Sequence, residues 1–218
     1  MNAAPTIFVI EPDPDVCESI KRIAHVLELR CEAYASGRDF LNSFDPHRPG
    51  CLVSEIGIPG VDGLRIQQEL TNNGAALPVI FLTASASVSI AVHVMRMGSL
   101  HLLEKPVHEH DLWLAIKEAI RVDHERRKAS SLRATIDAQI GRLSEKEIAV
   151  LELLAECKSK LAMAREMGVS VRTIEHHLTQ LMRKLKSDSI AGLLRFALTM
   201  QQQPGPRPVE MPLRSSRG

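Results

Sequence analysis

Five polar residues of the N-terminal half stand where short apolar segments end. Glu11 and Asp13 follow the run TIFVI, and Glu55 closes the run CLVSE. Thr83 and Lys105 end two further apolar runs. Carboxylates, a hydroxyl and an ammonium group can pair with one another or bind a charged ligand. Because ligand sites of open α/β sheets lie beyond the carboxyl ends of the strands, polar residues at such positions are candidates for a binding site.

A second group of polar residues lies in the C-terminal part of the chain. A short helical pattern near Ser159–Met167, then Gly168, then a helix over Val171–Leu185 capped by Ser170 is the sequence form of a helix-turn-helix. The second helix of such a pair lies in the DNA major groove and turns its N-terminal residues to the base edges. The outward-facing candidates are Arg172, Thr173, Glu175, His176 and Thr179, with Arg183, Lys184 and Lys186 placed to meet phosphates.

The elements that carry the first group alternate between strand and helix patterns. Strands are predicted at Thr6–Ile10, Cys51–Glu55, Pro78–Leu82 and Leu100–Leu103, and longer segments at helical spacing separate them. This alternation is typical of a doubly wound, mostly parallel α/β sheet, which we assign to residues 1–122.

The remainder of the chain is helical in pattern. Residues 123–140 are polar, contain no Pro or Gly, and predict a helical linker. Residues 141–200 predict an all-α, four-helix domain that opens with a capping box formed by Ser144 and Glu147. The Pro/Gly/Arg-rich tail 201–218 is expected to be disordered.

Charge and composition limit the kinds of partner and the location that are expected. Residues 1–125 hold 10 Lys/Arg and 17 Asp/Glu, whereas residues 126–200 hold 14 and 8, so a polyanion would meet only the rear. The four cysteines form no CxxC pair, which favours reduced thiols packed in the fold over a metal site. The sequence has no apolar run of transmembrane length and no signal peptide, so no membrane partner and a cytoplasmic location are expected.

The C-terminal motif resembles the LuxR/NarL class of DNA-binding domains over residues 141–200. The matching stretch, without gaps, is LSEKEIAVLELLAECKSKLAMAREMGVSVRTIEHHLTQLMRKL. It departs from the class at Cys157, usually Gly, and at Lys160-Leu161, usually Asn-Lys. The resemblance implies that Glu175, His176 and Thr179 face DNA bases and that Lys184 contacts the DNA backbone.

The loop GIPGVDG (Gly57–Gly63), the segment FLTA with Thr83, and EKP with Lys105 extend the strand and helix alternation. Together they resemble the CheY-like receiver domain of two-component response regulators, particularly the FixJ-like group, over about residues 5–122. The resemblance implies that Thr83 and Lys105 grip a phosphoryl group carried by an Asp on the third strand. Two acidic residues after the first strand would hold the Mg²⁺ that assists the transfer.

The sequence departs from this chemistry at three positions. The acidic pair is Glu11-Pro12, and proline cannot bind a metal through its side chain, while Asp13 lies one step further and points differently. Glu55 replaces the nucleophilic Asp; its extra methylene moves the carboxylate by about 1.5 Å, which costs about a hundredfold in rate. Leu102 stands where a switch aromatic is expected. We therefore expect a receiver that works without phosphorylation and without a cofactor.

Four interpretations of Glu55 stay open at this point. It pairs with Lys105 in a merely structural pocket, or it mimics a phosphorylated aspartate and reaches toward Lys105 and Thr83. The third is residual phosphorylation of Glu55 or a neighbouring Asp, and the fourth is a ligand or redox input.

Taken together, these features predict a DNA-binding transcription regulator of the response-regulator type, and not an enzyme. We expect a homodimer on paired half-sites of double-stranded promoter DNA, with RNA polymerase and a signalling protein as further partners. The alternative is a protein-interaction adaptor that uses the receiver-like domain. DNA binding with a steep salt dependence would separate the two.

Overall fold

The computed structural model describes residues 4–58, 62–85 and 87–202, with the backbone only for Gln202. The chain divides into two compact units between Ala129 and Ser130. A five-stranded parallel sheet forms the centre of the first unit, in the order β2-β1-β3-β4-β5. The strands are β1 (Thr6–Ile10), β2 (Arg30–Ala33), β3 (Gly50–Glu55), β4 (Val79–Thr83) and β5 (His101–Glu104).

Helices connect these strands and cover both faces of the sheet. Most of them begin at a side chain that accepts a hydrogen bond from the first-turn backbone, as Asp13, Ser36, Asp62 and Ser87 do. The helices are α1 (Pro14–Val26), α2 (Gly37–Ser43), α3 (Gly63–Asn72), α4 (Val88–Arg96) and α5 (Glu109–Ile140).

Alternation along β1 shows how the sheet is buried on both faces. Ile7 and Val9 join one core with residues of α1 and α5. Phe8 and Ile10 point the other way, into a second core with residues of α2, α3 and α4. Because all strands run in one direction, their carboxyl ends meet at one edge and the polar residues that follow them lie there. The predicted α/β class is confirmed.

The sequence patterns placed Cys31 in a strand-like segment but gave no bounds for β2, and they missed α2. β2 is an edge strand of four residues, RCEA, whose side chains are only partly buried, so it shows neither an apolar run nor a clean alternation. α2 has seven residues, too few for a helical period to be distinct. Of the cysteines, Cys51 is buried, whereas Cys157 is exposed and does not pack in the fold as expected.

The helix α5 runs unbroken through the predicted linker, but its first part belongs to the sheet domain. The Asp123 carboxylate is buried and accepts a hydrogen bond of 2.9 Å from Gly50 N. Arg127 donates to both oxygens of Asp123, at 2.9 and 2.8 Å, and to the carbonyl oxygens of residues 46, 47 and 48. We call Asp123 and Arg127 the α5 clamp. The first unit therefore extends past the predicted boundary at residue 122.

Up to residue 202 the second unit is all helical, as predicted, and after α5 it contains α6 (Glu145–Ala155), α7 (Lys160–Glu166), α8 (Val171–Leu185) and α9 (Ile190–Gln202). The capping box of Ser144 and Glu147 opens α6. Gln201 and Gln202 belong to α9, so the predicted tail begins two residues too early, and residues 203–218 lie outside the described part. No helix in the ranges described is long and apolar enough to cross a membrane.

Candidate functional site

The carboxyl edge of the sheet holds a pocket centred on Lys105. Its Nζ lies 2.7 Å from Glu11 Oε1 and 2.6 Å from Glu55 Oε2. The three side chains are shielded from solvent, with 18% of Lys105, 12% of Glu55 and none of Glu11 exposed. One ammonium group thus joins two carboxylates that come from the ends of different strands, and we call these three residues the Lys105 bridge.

Electrostatics keeps the Lys105 ammonium charged. Burial by itself would lower the pKa of the Lys105 ammonium, but the hydrogen bonds to Glu11 and Glu55 outweigh it and raise that pKa above its ordinary value. Glu11 Oε1 also accepts a hydrogen bond from Asp13 N at 2.9 Å. Glu11 Oε2 is buried and lacks a hydrogen-bond partner among the described residues.

The side chains of Asp13 and Thr83 form hydrogen bonds with residues that follow them closely in the chain, outside the Lys105 bridge. Asp13 caps α1, since its Oδ1 accepts hydrogen bonds from Asp15 N at 2.9 Å and Val16 N at 3.5 Å. The Thr83 hydroxyl accepts from Ser85 N and donates to Ser85 O, both at 3.2 Å. The expected contact of Glu55 with Lys105 is present, whereas between the described residues no hydrogen bond joins Glu55 to Thr83.

The pocket does not fit the Mg²⁺ that the receiver resemblance implies. A magnesium ion needs several oxygen ligands around it in an octahedral arrangement. Pro12 offers none from its side chain, Asp13 is used as a helix cap, and the Lys105 ammonium already lies against both remaining carboxylates. In the described ranges no cluster of three or more His, Cys, Asp or Glu residues could hold a metal ion.

The second site is the outer face of α8. Ile174, Leu178, Leu181 and Leu185 are buried and hold the helix against the rest of its unit. The opposite face leaves exposed five of the predicted DNA-binding residues, namely Arg172, Glu175, His176, Thr179 and Arg183. Thr173 is half-buried, and its hydroxyl lies 2.8 Å from that of the capping Ser170.

Contacts on this face orient several of these side chains. Lys160, the first residue of α7, places its Nζ 2.9 Å from Glu175 Oε1. The Thr179 hydroxyl donates to the main-chain oxygen of Glu175 at 2.9 Å, and Arg183 donates to Gln180 at 2.8 Å. In the sequence, Lys160 stands out only as a departure from the LuxR pattern. Its contact with Glu175 spans fifteen residues and is formed by the helix crossing, which local periodicity does not reveal.

Lys184, for which a contact with the DNA backbone is predicted, also bonds to residues of its own unit. Its Nζ is 2.7 Å from Glu147 Oε2, inside the second unit, and 3.2 Å from Arg142 O. The Glu147 side chain is only 5% exposed. Burial would raise the pKa of the Glu147 carboxyl, but hydrogen bonds from Lys184 and Ser144 outweigh it and hold that pKa below its usual value. Lys184 therefore positions α8 against the start of α6.

Comparison with known proteins finds a matching family for each of the two units. Residues 7–117 match the family model described as response regulator receiver domain, and residues 141–197 match the model described as bacterial regulatory proteins, luxR family. The transcriptional regulatory protein FixJ of Azorhizobium caulinodans is 31% identical, over 88% of this chain and 91% of that protein. Nodulation protein W of Bradyrhizobium diazoefficiens is 30% identical over 89% and 86%.

A solved structure points the same way. The response regulator StyR is 28% identical and has a TM-score of 0.79, over 92% of this chain and 100% of that chain. The chain therefore belongs to the FixJ-type response regulators, DNA-binding transcription factors that join a receiver domain to a luxR-family helix-turn-helix domain.

Proposed function

We propose that this regulator controls transcription without receiving a phosphoryl group, and that it has no enzymatic activity of its own. The observation that carries the proposal is the Lys105 bridge. In it the ammonium that would grip an incoming phosphoryl group is already bonded to Glu11 and Glu55. The neighbouring metal site lacks a ligand at Pro12.

The geometry of Glu55 disfavours it as a nucleophile. Its Oε2 lies against Lys105, and its Oε1 accepts hydrogen bonds from Ile56 N at 3.1 Å and Gly57 N at 3.4 Å. Both oxygens are therefore engaged, and in-line attack on a phosphoryl donor would require breaking a partly buried ion pair. With the Lys105 ammonium already bonded to two carboxylates and the residues unfit to hold Mg²⁺, little stabilisation of the transition state remains.

The test is intact-mass spectrometry of the protein after incubation with acetyl phosphate and Mg²⁺. We expect no stable gain of one phosphoryl mass. The matched variant carries Pro12→Asp and Glu55→Asp together, which restores the acidic pair and the shorter nucleophile. Stoichiometric labelling of the parent protein would refute the proposal; labelling of the double variant alone would support it.

The charge of Glu55 is proposed to hold the receiver in its DNA-binding form. A hydrogen bond between charged groups contributes about 1.5–3 kcal/mol, enough to shift a two-state domain by about tenfold or more. Glu55→Gln keeps the shape and removes the charge, so it should lower dimerisation and DNA affinity while the fold persists. If Glu55→Gln dimerises and binds promoter DNA like the parent, the Lys105 bridge has a structural role only.

On DNA, we propose that a homodimer presents the two α8 helices to paired half-sites in the major groove. The exposed face of α8 and the basic balance after residue 126 support this mode. Binding measured over a salt series should weaken steeply. Arg183→Ala should weaken it at all sequences, whereas His176→Ala should alter sequence preference. Absence of DNA binding even at low salt would favour the adaptor alternative.

A further inference from the structure

The contact between Lys160 and Glu175 joins the two helices of the helix-turn-helix. Glu175 lies in the first half of α8, next to the exposed His176 and one turn before the exposed Thr179. Its side chain is 53% exposed and that of Lys160 is 45% exposed. Lys160 approaches Oε1, while no hydrogen bond to Oε2 is found among the described residues. One oxygen is thus held, and the other can accept a further hydrogen bond.

Such a pair adds little to stability, since exposed ion pairs contribute about 0–1 kcal/mol. The pair instead acts on the direction of the Glu175 carboxylate and on the local charge. Lys160 restrains the carboxylate toward the α7 side of the α8 face, and it offsets a negative charge that DNA phosphates would otherwise repel.

A carboxylate accepts hydrogen bonds and donates none, which limits the bases that it can read. In the major groove, guanine presents two acceptors and thymine presents an acceptor and a methyl group, so both disfavour it. Adenine offers an amine, but the adjacent N7 acceptor repels a carboxylate. Cytosine offers its N4 amine without that neighbour and is the usual base partner of Glu and Asp.

We propose that Glu175, positioned by Lys160, selects a cytosine in each half-site of the target DNA. The inference rests on the proposed function, because it requires α8 to enter the major groove. Glu175 is the reading residue and Lys160 is a positioning residue that acts through it.

The experiment selects bound sequences from a random duplex DNA library with the full-length protein. The parent should enrich cytosine at one position per half-site. Glu175→Gln should move that position toward adenine, since glutamine bonds to adenine N6 and N7, and change the cytosine-to-adenine preference by about 5- to 100-fold. Lys160→Ala should flatten the cytosine preference at the same position and leave the others unchanged.

Glu166→Gln is the matched control, because Glu166 is the exposed last residue of α7, pairs with Lys158 and lies outside α8. It should select the parental sequence. A parent that enriches no sequence refutes the proposed DNA-binding function itself. A parent with a clear site that Glu175→Gln leaves unchanged, or whose altered position was not cytosine, overturns this inference and leaves the function standing.

Discussion

Replacing Lys105 with methionine tests the Lys105 bridge at almost constant side-chain length. The change removes the cation that lies 2.7 Å from Glu11 and 2.6 Å from Glu55. Glu11 has no solvent-exposed side-chain surface, so water cannot take over the lost contact without a rearrangement. The variant therefore leaves a buried carboxylate uncompensated.

The expected loss of stability follows from that burial. Breaking a buried ion pair by removing one partner costs about 3–5 kcal/mol, because the other charge stays desolvated. Screening reduces this only slightly, since 18% of Lys105 and 12% of Glu55 are exposed. Adding Glu11→Gln to Lys105→Met removes the stranded charge and should recover at least half of the loss. The exposed pair Lys21 and Glu18 offers the control, and Lys21→Met should change stability by less than about 0.5 kcal/mol.

Urea unfolding followed by fluorescence measures these differences in the intact protein. Trp113 is the single tryptophan of the chain and lies on α5 beside the core shared with α1, so its signal reports the first unit. With a slope of about 2 kcal/mol per M, a loss of 3–5 kcal/mol lowers the midpoint by about 1.5–2.5 M urea. A Lys105→Met midpoint equal to that of the parent would refute the electrostatic reasoning, and so would a double variant less stable than the single one.

Two further variants test contacts elsewhere in the chain. Arg127→Ala opens the α5 clamp and leaves the buried Asp123 carboxylate without its cation, so it should destabilise the first unit by about 3–5 kcal/mol in the same urea assay. The control is Arg126→Ala at an exposed neighbour, which should cost less than about 1 kcal/mol. Equal losses in the two variants would contradict the role of the clamp. Lys184→Met should lower the stability of the second unit by about 1.5–3 kcal/mol at neutral pH. The pKa of the Glu147 carboxyl is lower in the folded protein than in the unfolded chain, where it is 4.5. The ionised carboxylate therefore adds to the free energy of unfolding above the unfolded pKa, and this contribution is lost as pH falls through the folded pKa. Melting temperatures measured by circular dichroism over a pH series should fall in acid for the parent and fall less for Lys184→Met. Parallel curves of melting temperature against pH would contradict this role of the pair.

Local signals predicted much of the fold. The apolar run TIFVI became β1 with the same bounds, and Val171–Leu185 became α8 with Ser170 as its cap. The capping box of Ser144 and Glu147 also formed where the spacing predicted it. These features depend on neighbours within a few residues, so periodicity and cap chemistry suffice to find them.

The pairing of charged groups was harder to predict. The sequence suggested Glu55 as a partner of Lys105, but it did not suggest that Glu11, 94 residues away, bonds to the same ammonium. Similarly, the sequence predicted a DNA-backbone contact for Lys184 but did not suggest its bond to the buried Glu147, which the helix crossing brings about.

By itself, the sequence determined most of the strand and helix order, the two kinds of domain, and a proline at position 12, where the receiver resemblance implies an acidic residue. Those properties are encoded in residue type and short-range spacing. Only the tertiary structure decided which charges meet at the Lys105 bridge, between Lys160 and Glu175, and in the α5 clamp. A long flexible side chain can reach several partners, and the choice among them depends on where separate elements pack and on which carboxylate that packing removes from water.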